Sequence, residues 1–369
     1  MTTSFEIKTK KTMGLAAMQG RGFYYPFDLA FDSNDRIYVL GRGHDYDPRG
    51  ARITVMDMEE EYYGTFASFG DKDGQFIWPS SIAISNKDKI YVSDEYLNKI
   101  TIMSTEGDFI SSFGKFGNSE GEFDGPNGLV FDDNNQLYVV DHRNGRIQVF
   151  DEDGNYIRKF SSEGESEGKL NLPWGITHHS DDSLYISDWG NHRIQEFSTS
   201  GEFIRTIGAK GNNEKNILHP SSCAIDDLGY IYISDWGNHK LKVFDNKGNF
   251  LCSNRGEATL SKWAQDFLDT NVQEKEARLK ANLVFELESF EDDPFTESSH
   301  VEKLFWCPTS VSFHKEKLLI VDSSRHRIQV FNNVQYKFSI FIKKSHHFFN
   351  TQIQKTIKYF MKFINSYIK

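Results

Sequence analysis

Cysteine is scarce in this chain, with only Cys223, Cys252 and Cys307 in 369 residues. An odd, scattered set builds neither a disulfide framework nor a zinc site with paired spacing. The three read as reduced packing residues of an intracellular protein, and the expected location is cytoplasmic. Proline is also sparse, 8 against 28 glycines, which suits many tight turns rather than a disordered linker. No run of eighteen apolar residues occurs, which excludes an ordinary membrane-spanning helix, and the first residues lack the apolar core of a secretory signal. Bases are outnumbered, 42 to 53, for a net charge of -11. Residues 333–369 hold seven lysines and no acid, so the remainder carries 35 bases against 53 acids, or -18. A body this acidic repels phosphate backbones, and no nucleic-acid partner is expected.

What the chain has in quantity is repetition. Pro79, Pro126, Pro173 and Pro220 stand 47 residues apart, each followed by a strand-like run ending in Asp94, Asp141, Asp188 or Asp235. A fixed period with several short strands per unit marks a repeat architecture. In the copy from Leu172 to Gly208, four apolar runs of four to six residues are separated by turns such as Ser180–Ser183 and Ser198–Gly201. One such antiparallel sheet is too small to bury its own faces, so the copies must pack around an axis. Prolines 26, 79, 126, 173, 220 and 308 give six copies. Gly14 precedes Pro26 by the spacing that separates Gly114 from Pro126, so Phe5–Met13 is predicted to be a fourth strand completing the sixth sheet and closing the ring.

Asn144-Gly145-Arg146-Ile147, Asn191-His192-Arg193-Ile194 and Asn238-His239-Lys240-Leu241, each followed by a phenylalanine, resemble the name-giving segment of the NHL repeat. The resemblance covers about residues 5–331 outside one insertion and implies an all-β fold, a six-bladed β-propeller. Blade one departs, with Leu40-Gly41-Arg42 where the others end in Asp and a longer link from Gly43 to Gly50. The insertion, 256–305, carries twelve acids and five bases. Leu260, Trp263, Ala264, Phe267 and Leu268 predict an amphipathic helix there, Lys275–Leu287 a second, and Glu291–Pro294 a break. The expected organisation is 1–332 propeller and 333–369 an atypical basic tail. That tail reads either as a basic amphipathic helix or, preferred, as non-native, out-of-frame translation of AT-rich DNA.

Links before strand one and between strands two and three must emerge on one face. That upper face gathers Asp28, Arg42, Trp78, Glu95, His142, Arg143, Trp174, Trp189, His219, Trp236 and Arg325 as candidate ligand-binding residues, with Tyr25, Asn127 and Thr309 nearby. The recurring aspartates at 94, 141, 188, 235 and 322 read as structural acceptors of backbone N–H bonds within the following turn, holding their hairpins closed. Recurring arginines 146, 193 and 327 and the Asn-His pairs likewise read as framework. No cofactor is expected. A divalent metal at Asp28, His142 and His219 is a weaker candidate, since no local ligand pair supports it.

The leading functional expectation is non-catalytic recognition of a protein, peptide or small molecule at the upper face and channel. Ligase activity is not implied, because three cysteines make no RING. The alternative is a metal-dependent lyase or hydrolase acting at the channel, as in the similar amidating and streptogramin lyases, whose metal ligands are not matched here residue by residue.

Overall fold

The computed structural model describes residues 3–44, 47–211, 213–283, 294–332 and 335–338. Chain contacts separate two units, Glu6–Gln335 and a smaller one of Met1–Phe5 with Tyr336–Lys369. Strands Thr3–Glu6 and Gln335–Phe338 pair with each other. The rest of the 333–369 tail reading lies outside the described residues.

The larger unit is a ring of six four-stranded antiparallel sheets. Blade one comprises Pro26–Phe31, Ile37–His44, Asp47–Met56 and Tyr62–Phe66. First strands of blades two, three, five and six begin at Pro79, Pro126, Pro220 and Pro308, and that of blade four at Ile176. Proline suits this place because it opens the strand and its missing N–H costs the ladder nothing. Blade six takes its fourth strand from Thr9–Met13, paired from Thr9↔Phe331 to Met13↔Ile328. The closing strand is therefore shorter than the predicted Phe5–Met13. The chain leaves the ladder at Ile7, which is buried between blades five and six, its carbonyl accepting from Asn254 at 3.1 Å.

There is no single core. Six apolar clusters fill the six seams between neighbouring blades. The period-two alternation of the second strands decides the allocation. Ile37 and Val39 face the seam with blade six, while Tyr38 and Leu40 face blade two. The residue three places before each proline adds a buried wedge: Phe23, Phe76, Phe123, Leu170, Ile217 and Phe305.

The insertion starts with α1 (Lys262–Thr270), N-capped by Ser261, whose hydroxyl accepts from Ala264 N–H at 3.0 Å. Trp263 is wholly buried in the seam between blades six and one, donating from Nε1 to the Glu60 carbonyl at 2.6 Å. Glu60 also accepts from the backbone N–H groups of Gly14 and Lys262. The first helix thus latches the seam where the chain closes on itself. α2 (Val272–Lys280) starts and ends earlier than the predicted Lys275–Leu287: Asn271 breaks the chain from α1 with φ -117° and ψ 77°, and Ala281 turns extended at the other end. The predicted break at Glu291–Asp293 lies outside the described residues. A third helix, α3 (Pro294–His300), follows, where Pro294 had suggested only an interruption. Among the described residues no helix is long and apolar enough to cross a membrane.

Candidate functional site

The repeated polar residues build the platform of the upper face. Asp141, Asp188 and Asp322 are fully buried, and each accepts from a backbone N–H in the segment before its own proline: Asp124, Asn171 and Trp306, at 2.7–2.8 Å. Their other partners are side chains. The arginine five places on (Arg146, Arg193, Arg327) donates from Nε at 2.7–2.8 Å, and the glutamine seven places on (Gln148, Gln195, Gln329) donates from Nε2. The aspartates therefore tie each hairpin to the link before it. The expected backbone bonds inside the following turn occur at Asp94, which accepts from Tyr96 and Leu97. Blade five moves its cation. Lys240 turns outward to Glu214, while buried Lys242 takes the glutamine's place against Asp235, at 3.1 Å. In blade one Gly41 replaces the aspartate, since a Cβ there would lie 2.3 Å from the Gly50 carbonyl oxygen. Arg52, opposite Gly41, accordingly keeps a buried Nε without a partner.

The histidines of the repeat join neighbouring blades. His192, His239 and His326 adopt left-handed backbone at a helical-turn end, and their Nδ1 atoms accept from the N–H of His219, Cys307 and Tyr25. In blade two Asn98 does the same for Gly125 through its amide oxygen, at 2.8 Å. Gly145 holds the position in blade three, with φ 58° but no side chain to accept. Burial pushes His192 and His326 down to about 4, so both rings are neutral acceptors.

On this platform lies a concavity of about 470 Å³. Arg42, Glu95, His142, Trp174, Trp189 and Trp236 of the candidate residues line it together. The three indoles form a near-equilateral triangle, with ring centroids 6.0, 6.1 and 6.2 Å apart. Phe27 stacks on Trp174 at 5.8 Å and 25°. These two residues directly follow the opening prolines of blades one and four, opposite members of a six-fold ring, so their rings meet on the axis. They divide the upper concavity from an axial cavity of about 280 Å³. Asn127 and Thr309, which directly follow the opening prolines of blades three and six, flank the stack and line both spaces.

The charges at the rim satisfy one another. Glu95 accepts from Arg42 at 2.9 Å and from Arg143 at 2.5 Å, and Arg143 also reaches Asp124. Burial alone would raise Glu95, but the two guanidiniums hold it below the usual range. His142 is lowered, chiefly by burial, and its Nδ1 lies 2.9 Å from the Pro173 carbonyl. The carbonyl only accepts, so Nδ1 carries the proton and Nε2 is left as an acceptor.

Other candidates lie elsewhere. Asp28 lines the axial cavity, its oxygens accepting from Ser81, Ser310, Leu29 and Ile82, with burial raising its pKa against those bonds. Trp78 lines a separate recess with Tyr96 and Phe69, sharing only Arg42's side of the site. His219 packs on Trp189 at 3.9 Å, behind the indole. Arg325 is drawn to the Ser298 and Ser299 carbonyls of α3 and lies over Trp306. Tyr25 packs between His44 and His326. Asp28, His142 and His219 do not converge, and among the described residues no group of three or more His, Cys, Asp or Glu is placed to hold a metal. Phe27 escaped the sequence reading. The available signal was its place directly after Pro26, matching Asn127, Trp174 and Thr309.

A family model for the NHL repeat matches residues 123–150 and 170–197. Similar solved structures include a catalytically inactive virginiamycin B lyase from Staphylococcus aureus, solved with quinupristin. It shares 12% identity at a TM-score of 0.53, over 93% of this chain and 91% of that one. A Bacteroides thetaiotaomicron protein of unknown function shares 15% at 0.57, over 90% and 77%. An auxiliary nutrient binding protein of the same organism shares 14% at 0.55, over 91% and 78%. Likeness at these identities concerns the fold alone. No curated protein matches the chain. With matched repeats in blades three and four and six sheets closed in a ring, the chain is an NHL-repeat protein with the six-bladed β-propeller fold.

Proposed function

We propose that this propeller is a non-catalytic recognition module that holds a ligand or partner in the concavity of its upper face. The observation that carries the reading is the indole triangle backed by Phe27. It offers concentrated aromatic surface in a concave site whose charged neighbours are already paired. Aromatic anchors in a desolvated pocket supply most of the binding energy at recognition surfaces. Rigidity supports it further, because the aspartate and histidine bonds fix the loops before ligand arrives. The residues suited to acid–base work are engaged otherwise: Asp28 with four donors in the axial cavity and His142 with the Pro173 carbonyl.

The test is capture of binding partners by the intact chain beside a Trp174→Ala/Trp236→Ala variant whose fold is verified by circular dichroism. The expected result is loss of at least ~tenfold in affinity for whatever the intact chain retains. Unchanged retention by the variant would overturn the reading.

A further inference from the structure

Below the indoles, the throat of the concavity carries polar atoms that the protein leaves unanswered. Asn127 and Thr309 are only 3% and 5% exposed, yet Asn127 Oδ1 and Thr309 Oγ1 have no hydrogen-bond partner within the protein. Trp189 Nε1, buried at the atomic level, is in the same condition. A buried polar atom without a partner is costly, and native proteins leave few of them. Equivalent positions show that the fold knows how to satisfy such groups. Ser80 and Ser221, directly after the prolines of blades two and five, bond to the carbonyls of Pro126 and Pro308. Other such atoms lie elsewhere, Arg52 Nε and Trp306 Nε1 among them, but Asn127, Thr309 and Trp189 all belong to residues that line this one concavity.

Their chemistry restricts what fits. Asn127 Oδ1 and His142 Nε2 require a donor, Trp189 Nε1 requires an acceptor, and Thr309 Oγ1 takes either. The Arg42–Glu95–Arg143–Asp124 chain pairs two cations with two carboxylates and leaves no lone charge to hold an ionic ligand. A hydroxyl group both donates and accepts and rotates to suit, so it answers Asn127 whichever way the amide is turned. Neighbouring hydroxyls on a ring serve several such groups together, while the C–H face of that ring lies on an indole. A volume of about 470 Å³ falls within the ~300–1,000 Å³ of small-molecule sites.

We infer that the upper concavity is a saccharide site, taking a neutral sugar ring stacked on the tryptophan triangle with its hydroxyls on Asn127, Thr309 and Trp189. This rests on the recognition reading and names its ligand class. A peptide is the competing occupant, but it presents fixed amide geometry and finds no free charge for its ionic side chains.

The intact chain is titrated with glucose, galactose, mannose and N-acetylglucosamine up to tens of millimolar, followed by tryptophan fluorescence, and is applied to an array of neutral and sialylated glycans. Saturable fluorescence change and retention on neutral glycans are expected. Thr309→Val removes only the hydroxyl. It should leave the melting temperature equal or higher while weakening saccharide binding roughly tenfold. The inference falls if no saccharide binds, if only sialylated glycans bind, or if Thr309→Val binds as the wild type does. Partner capture that still depends on Trp174 and Trp236 while sugars fail would sink the saccharide assignment and leave the recognition reading standing. Capture indifferent to those tryptophans sinks both.

Discussion

His326 Nδ1 accepts the backbone N–H of Tyr25 at 3.0 Å, joining blades six and one across 301 positions of sequence. Burial holds this imidazole at about 4, against an ordinary value near 6.5. Between those values the unfolded chain takes up a proton that the folded ring refuses, so stability is full above about pH 6.5 and falls as pH drops toward 4. His192 behaves alike. On the order of 1–2 kcal/mol per ring should be lost near pH 5, allowing for solvent close to the face. Asp141 and Asp322, raised by burial, tilt the other way. The informative quantity is thus the difference between wild type and His326→Asn, which copies Asn98. Thermal melts should show that variant losing less stability on acidification. An identical pH profile would contradict the assignment.

Trp263 stitches the insertion into the closing seam, touching Phe23 and Tyr62 at 5.6 and 6.2 Å. Trp263→Ala should cost about 3–5 kcal/mol, read by urea unfolding. Leu279→Asp, on an exposed stretch of α2, should change stability by less than about 0.5 kcal/mol. Equal effects would mean that the insertion merely rests on the ring.

Blade five offers a swap experiment. Lys242→Gln removes the buried partner of Asp235 and should cost roughly 3–5 kcal/mol. Adding Lys240→Arg restores the arrangement of blades three, four and six and should recover most of the loss. If the double variant is no better than the single one, the two positions are not equivalent carriers of that charge.

Asp28 bears on the catalytic alternative. Its four donors would be stranded in Asp28→Ala, which should lose about 1–3 kcal/mol of stability. Metal content after chelator-free purification is expected to be the same in both proteins. Stoichiometric metal in the wild type that vanishes in the variant would restore the lyase or hydrolase reading.

The ring, the closing strand and the structural character of Asp141, Arg146 and their counterparts were legible because a 47-residue period exposes structural roles by recurrence, although Asp141, Asp188 and Asp322 take their backbone N–H bond from the preceding link and not from the following turn. Trp174, Trp189 and Trp236 were also legible, since topology alone places their links on one face. Asp28 and Arg325 could not be assigned this way. Asp28 is held by serines of blades two and six, Ser81 and Ser310, and α3, within the insertion, draws Arg325 aside. The wedge residues three places before each proline recur in position but vary in type, from Phe76 to Leu170 to Ile217, so identity-based reading passes over them.

Gly145 makes the ring unequal to itself. Four other joints are clasped at this turn position by a side chain reaching across to the next blade, whereas the joint between blades three and four is held from a neighbouring position, by His142 Nδ1 on the Pro173 carbonyl. With that bond removed, as in His142→Ala, transient opening of the disc should begin there. Amides around Ser161–Leu172 would then exchange with solvent before their counterparts elsewhere, and strain imposed on the circle would be released at that hinge.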